Sequence, residues 1–552
     1  MAAEKGEVFY NGNIRTMDPE RPRAGVLASL GGRIVFVGDS LEEARDALSG
    51  FLKDDSFRER IRELDLQGGT VVPGLIDSHS HLVSEGLKLT QLDLAGLGYR
   101  ETLEKVREKI ENLPPGVWLH GRGWDDNLWG DPSFPDKRDL DEAAPENPVV
   151  LDRVDKHSNW LNSMALELSR VDGNTRPPAG GAVLKNPDGS LKGVLVGRAM
   201  KAVWEVMPPY DGRNLKDVFT LAENEMLSLG LTTVVDCGTK PTDLKLLREL
   251  DGRGELRVRF RGNVPGDPWL PEIANGRFRE LVRSDHLSVD GVKLFSDGSL
   301  GSRSAWLFKE YHDRPGHFGS GNYEDDALLE LFRKAAAENL QAIIHAIGDR
   351  AIEQAVRLMM KACGSSLPER RFRVEHYQVT SPSLLKLGAE AGIVPSIQSA
   401  GIMYDMKMAP ARLGPGRVRD CYAWRRILDG GYLVNGSDAP IESPNPFHGI
   451  YAAVTRRDLS GYPDEGFQPY DALSLEEAFS SYTVWSARAA FQENNLGSLK
   501  AGKFSDFVLL DRDPWEISAA DLKDVRALMT VVGGEIRFRR EEGAGSPVFP
   551  GI

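Results

Sequence analysis

An apolar run that ends in two histidines, Val71-Val72-Pro73-Gly74-Leu75-Ile76-Asp77-Ser78-His79-Ser80-His81, constrains this chain more than any other stretch. Its composition predicts a buried strand. Side chains alternate faces along a strand, so His79 and His81 project from the same side, about 6 to 7 Å apart along the backbone, while Ser80 points away. Neutral imidazole is the commonest metal ligand and suits zinc, iron, nickel or cobalt. The pair therefore raises the question of where further ligands come from. Taken alone, the motif is equally compatible with two histidines at a strand end.

At 552 residues the chain exceeds one ordinary domain, although an α/β barrel alone uses about 250 residues or more. Two or three domains are expected. Hydrophobic residues at 41% and charged residues at 27% are those of a soluble globular protein, and no apolar run of bilayer-spanning length is present. No membrane partner is expected. The opening residues Met1 to Glu7 lack the basic and apolar regions of a secretory signal, so a cytoplasmic location is expected. Cys237, Cys363 and Cys421 are too few for a disulfide framework or a thiolate zinc site, which leaves nitrogen and oxygen as metal donors. The net charge of -14 argues against a nucleic-acid surface.

From Gly230 onward, short β-branched runs alternate with helical patterns, the order that builds a parallel sheet covered by helices. After the Ile76 strand, strands are expected at Thr232–Asp236, Leu256–Arg261, Gly291–Phe295, Ala342–His345, Phe372–Glu375, Ile393–Ile397 and Leu433–Asn435, making eight. Helices are expected at Leu215–Leu229 and Ala351–Met360. Eight strand-helix units predict an α/β TIM barrel over residues 71–97 and 213–490. About 150 residues separate the first two strands, far more than a crossover needs, so residues 98–212 are assigned to an α+β insertion. The flanks, residues 1–70 and 491–552, do not fit the barrel. They carry short strands such as Arg33–Val37 and Phe507–Leu510 and are expected to pair as one β-sandwich-like domain.

Barrel active sites are built at the C-terminal ends of the strands. There the later strands carry Lys293 before Phe295-Ser296-Asp297-Gly298-Ser299, then His345 in His345-Ala346-Ile347-Gly348-Asp349-Arg350, then His376, then Asp438 in Gly436-Ser437-Asp438-Ala439-Pro440. Each alone is weak, since a lone strand-end histidine is usually structural and a lone aspartate before Ala-Pro usually caps a turn. In this order they form a set. The set resembles the metal-dependent amidohydrolase superfamily, with His-x-His, Lys, His, His and Asp on successive barrel strands. More narrowly it is similar to the YtcJ-like branch, the amidohydrolase 3 family that includes N-substituted formamide deformylase. Matching words include Pro73 to His81, Gly123-Trp124-Asp125, Val292 to Ser299, His345 to Ala351 and Gly436 to Pro440. Gly497-Ser498-Leu499, Gly502-Lys503 and Asp506-Phe507 extend the resemblance nearly to the C-terminus.

The resemblance implies a hydrolase acting on a carbon-nitrogen bond other than a peptide bond, with one or two divalent ions, zinc by expectation. It implies that His79, His81 and Asp438 hold one metal and His345 and His376 the other, with Lys293 bridging as a carbamate formed with CO2. An unmodified ammonium has no acceptor with which to do this. Asp438 is then the proton carrier to the leaving nitrogen, and Asp438 and His345 are the expected catalytic residues. Substrate contacts are expected from His157, Trp124, Asp125, Asp297, Arg303 and Gln398, in loops or strand ends facing the barrel mouth. Trp124 packing the insertion, Asp297 capping a loop and Arg303 forming a surface pair are the competing readings. The expected partner is a small-molecule substrate, with a homodimer as the expected assembly. An esterase or lactonase on the same metal site, or a non-catalytic scaffold, is the alternative; the scaffold is disfavoured because all six ligand positions are kept.

Overall fold

The computed structural model describes residues 6–51, 61–129, 135–154, 158–178, 181–207, 212–266 and 284–541. The chain divides into two compact units, one comprising Met1–Leu82 with Ala222–Ile552, the other Val83–Leu221.

The first unit contains eight parallel strands in sequential order: β1 (Leu75–Ser80), β2 (Leu231–Asp236), β3 (Arg259–Pro265), β4 (Leu287–Phe295), β5 (Gln341–Ala346), β6 (Arg373–His376), β7 (Val394–Ile397) and β8 (Val434–Asn435). The last seam is made by the residues just past β8. A parallel bridge joins Ser80 to Ala439, Asp438 N–H donates to the His79 carbonyl at 2.6 Å, and His81 N–H donates to the Ala439 carbonyl at 2.9 Å. Gly436 makes this approach feasible, because a Cβ there would lie 2.3 Å from the His79 nitrogen. The expected TIM barrel is therefore present.

Strand ends differ from expectation where side chains intervene. Leu256–Val258 is apolar enough to be read as the start of β3, yet the strand begins at Arg259. The N–H groups of Arg257 and Val258 donate to Oε1 of Glu223, at 2.7 and 3.1 Å, instead of pairing with a neighbouring strand. In β4 pairing runs back past the expected start at Gly291 to Leu287, through Asp290-Gly291, a dipeptide that on its own signals a turn. The expected helices are found at Gly212–Ser228 and Asp349–Cys363.

Glu223 yields a stability prediction. Burial pushes its carboxyl up to about 7, against the pull of the two backbone donors. The native state thus holds its proton more tightly than the unfolded chain, whose glutamate sits near 4.5. That contribution is full below about pH 4.5 and is lost as pH rises through about 7. In Glu223→Gln, whose amide oxygen can accept both N–H groups, the fall in stability across this window should flatten by up to about 3 kcal/mol relative to the wild type. Denaturant titrations of both proteins from pH 5 to 8 check this; parallel pH profiles would contradict it.

Both chain ends contribute to one six-stranded sheet in the same unit. Its order is Glu535–Arg539, Ala527–Val532, Phe507–Leu510, Thr70–Pro73, Asn13–Arg15 and Arg23–Ala24. Phe507–Leu510 runs antiparallel to Thr70–Pro73, with Phe507 opposite Pro73. A four-stranded sheet of Arg33–Gly38, Val26–Leu30, Gly6–Tyr10 and Ile61–Asp65 shares its core, in which Phe9, Leu27, Ile34 and Leu64 pack with Val71, Phe507, Leu509 and Val531. The barrel is tied to this layer by a buried bidentate pair, Arg259 Nε and Nη2 on Asp506 at 2.6 and 2.9 Å.

The second unit is a six-stranded mixed sheet with a separate apolar core on each face. One core is built around Trp124, Trp160 and Leu151, the other around Leu161, Leu195 and Val203. Among the described residues no helix is long and apolar enough to cross a membrane.

Candidate metal centre

The site sits at the C-terminal ends of the barrel strands. His79 is the penultimate residue of β1 and is 1% exposed. Its Nδ1 lies 2.6 Å from Oε2 of Glu375. With Nδ1 donating to that carboxylate, Nε2 carries the lone pair. Nε2 faces Asp438 Oδ1 at 3.4 Å and Lys293 Nζ at 3.1 Å. His81 Nε2 lies 3.3 Å from the same Asp438 oxygen. The His376 ring is 5.3 Å from that of His79 and 4.4 Å from that of His345. One donor atom each from His79, His376 and Asp438 fall within 4.8 Å of one another.

Two backbone departures make this convergence possible. Alternation in a strand would send Glu375 and His376 to opposite faces. His376 has φ of 70°, outside strand geometry, and both residues approach His79. Asp438, just past β8, has φ of 59°. Left-handed backbone at a non-glycine residue costs about 1 kcal/mol or more and tends to collect at functional sites.

The electrostatics suit a divalent cation. Burial, reinforced by the nearby Lys293, pushes the His345 imidazole down to about 4, and burial likewise lowers His79 and His376. Neutral rings are the form that ligates metal. Burial opposes ionisation of Asp438, but the surrounding His79, His81 and His376 outweigh it and hold the carboxyl well below its ordinary range. Two neutral nitrogens, from His79 and His376, beside the Asp438 carboxylate form a donor set for zinc or a similar ion. His79, Cys237 and Glu375 also cluster, but burial pushes the Cys237 thiol up to about 12, and the Glu375 contact is the hydrogen bond to Nδ1. That group lacks a thiolate.

Sequence reasoning passed over three side chains that organise the site. Arg373 and Glu375, both fully buried, pair through Nε to Oε1 at 2.9 Å and Nη2 to Oε2 at 3.2 Å. Arg373 also donates to the Ser78 carbonyl at 2.6 Å. Asp77 accepts the N–H groups of His79 and Ser437 at 3.0 and 2.9 Å and the Ser437 hydroxyl at 2.6 Å, fastening β8 to β1. A usable signal existed: Asp77 shares strand parity with His79, and Arg-x-Glu is charged at both same-face positions of an apolar strand.

Of the expected substrate contacts, Gln398 borders the metal-ligand residues. Its amide nitrogen is 3.2 Å from His79 Nδ1, and its buried Oε1 has no hydrogen-bond partner. Asp297 holds a loop. Its carboxylate is buried and accepts the N–H groups of Ile347, Gly348 and Trp306 at 3.0, 2.8 and 2.9 Å, so it clamps the loop after His345. Burial pushes that carboxyl up to about 7 against the three donors. Arg303 pairs with Asp313 through Nε and Nη2 at 3.0 and 2.8 Å. In the second unit Trp124 is fully buried, donates to the Leu151 carbonyl at 2.9 Å and stacks on Trp129. Asp125 pairs with Arg153 at 3.3 Å. His157 lies outside the described residues.

Residues 62–538 match the amidohydrolase family. The chain is 33% identical to Protein LONG AFTER FAR-RED 3 of Arabidopsis thaliana, over 95% of this chain and 90% of that one. It is 27% identical to the N-substituted formamide deformylase of Arthrobacter pascens, over 97% and 98% of the two chains. Among solved structures it resembles an uncharacterised metal-dependent hydrolase from Pyrococcus horikoshii, with a TM-score of 0.77, 25% identity and coverage of 93% and 99%. A barrel with histidines and an aspartate gathered at its mouth, matched by the family over most of its length, belongs to the amidohydrolase family.

Proposed function

We propose that this protein is a metal-dependent hydrolase of a non-peptide carbon-nitrogen bond, in an amide, an N-substituted formamide or a cyclic amide. The observation that carries the reading is the convergence of His79, His376 and Asp438 within 4.8 Å at the strand ends. In this reading His79, His81 and Asp438 form one ligand group and His345 and His376 the other, with Lys293 joining them as a carbamate. Lys293 is 1% exposed, and its Nζ abuts His79 Nε2, so an anionic oxygen there serves a cation better than an ammonium does. A bound divalent ion, zinc in this reading, supplies Lewis acidity toward the carbonyl and hydroxide at neutral pH. Asp438, ionised at rest, accepts the proton of the attacking water and hands it to the leaving nitrogen, which must be protonated to depart. His345 and Gln398 border the substrate cavity. The deformylase relative supports the amide class.

Elemental analysis of protein purified without chelator, run beside a panel of N-acyl amines, N-formyl amines and esters, tests this. The expected result is one or two divalent ions per chain and amide turnover that chelation removes and zinc with bicarbonate restores. Ester or lactone turnover without amide turnover would replace the reading with its alternative. Neither metal nor turnover after reconstitution would leave only a scaffold.

A further inference from the structure

A cavity of about 360 Å³ adjoins the metal-ligand residues His345, His376 and Asp438. That volume is in the range that accepts a small molecule. Much of its wall is apolar, from Leu300, Ile347, Met408, Trp424 and Ile441. Among the described residues lining it there is no lysine or arginine. Its carboxylates are Asp438, Glu442 and Asp405, the last on the helix Ile402–Arg417 that follows β7. The Asp405 carboxylate accepts from the Tyr422 hydroxyl at 3.0 Å and the Gln378 amide at 3.1 Å, both neutral donors. Burial pushes the carboxyl up to about 6, partly offset by these two hydrogen bonds. A carboxylate partly removed from water and held only by neutral groups gains from a cation more than an exposed one does.

We propose that Asp405 sets the specificity of this cavity by receiving a protonated amine at the non-reacting end of an otherwise apolar amide substrate. The inference rests on the amide-hydrolase reading and adds the substrate's far end to it. An apolar wall with carboxylates and no basic side chain disfavours an anionic tail, while a lone ammonium completes the Asp405 shell. Gln378 and Tyr422 act as positioning residues, since each donates to the carboxylate and leaves its remaining acceptor sites for the ligand.

The test compares N-formyl-1,5-diaminopentane, whose free end is an ammonium, with N-hexylformamide, whose free end is a methyl group of matching length. Calorimetric binding to the metal-loaded protein is measured together with turnover. Wild type should bind the ammonium compound at least about tenfold more tightly, as a charge-assisted hydrogen bond implies. Asp405→Asn should abolish that ratio, and Asp405→Glu should keep most of it. Equal or tighter binding of N-hexylformamide by wild type would overturn the inference, and so would a ratio unchanged in Asp405→Asn. The wild-type ratio needs no variant, so it decides the matter even where Asp405→Asn fails to fold. The two readings separate cleanly. A binding preference without hydrolysis of either compound sinks the catalytic reading and spares this one; hydrolysis of both without preference does the reverse.

Discussion

Asp438→Asn protein, folded and metal-loaded, is expected to lose turnover by about 10²- to 10⁴-fold, the usual worth of a positioned proton-transfer group, while substrate binding changes far less. The carboxylate lies 3.4 Å from His79 Nε2 and 3.3 Å from His81 Nε2, and its backbone is fixed by the Asp438 N–H bond to the His79 carbonyl. An asparagine fits the same space and keeps one oxygen donor but cannot carry a proton from water to a leaving nitrogen. Pre-steady-state binding and steady-state turnover, measured on protein of confirmed metal content, separate the two effects. Near wild-type turnover would remove Asp438 from the chemistry, and loss of metal would make it a ligand first.

The second large effect is expected at Glu375. Its side chain is fully buried between His79 Nδ1 and the Arg373 guanidinium, and burial, which alone would raise its pKa, is overcome by Arg373 and His79, which hold it well below its ordinary range. Glu375→Ala leaves the Arg373 charge buried without its carboxylate, and removing one partner of such a pair costs about 3 to 5 kcal/mol. The same change frees the His79 ring to rotate and to place its proton on Nε2, the atom facing Asp438 and Lys293. Loss of such an outer partner lowers metal affinity by about 10- to 100-fold. Glu375→Gln keeps the shape and an acceptor, so it should recover part of the stability. Denaturant unfolding and zinc competition with a chromophoric chelator measure the two effects separately. Unchanged zinc affinity in a folded Glu375 variant would reduce the residue to a purely structural ion pair.

Much of this fold was written locally. Short runs with β-branched residues, alternating with amphipathic segments, mark the barrel strands, because a parallel strand buries both faces. Their ends were less legible. The start of β3 depends on Glu223, 34 and 35 residues before the two N–H groups it takes away from the sheet. Substrate contacts were the least legible. Asp297 and Arg303 have the residue types of a binding site, and only the structure shows their partners, three loop N–H groups and Asp313. Asp405 carried no motif at all, since its importance lies in lining a cavity whose other walls come from several distant segments.

The sequence by itself determined the barrel pattern and named the six side chains with ligand chemistry, since hydrophobic periodicity and residue type are properties of the linear chain. The tertiary structure alone decided which donors meet, that His79 presents Nε2 because Glu375 holds Nδ1, and that Asp438 reaches His79 and His81 across the β8–β1 seam. The physical reason is that convergence depends on strand register, ring orientation and left-handed backbone at His376 and Asp438. These are fixed by contacts between residues hundreds of positions apart rather than by their neighbours in the chain.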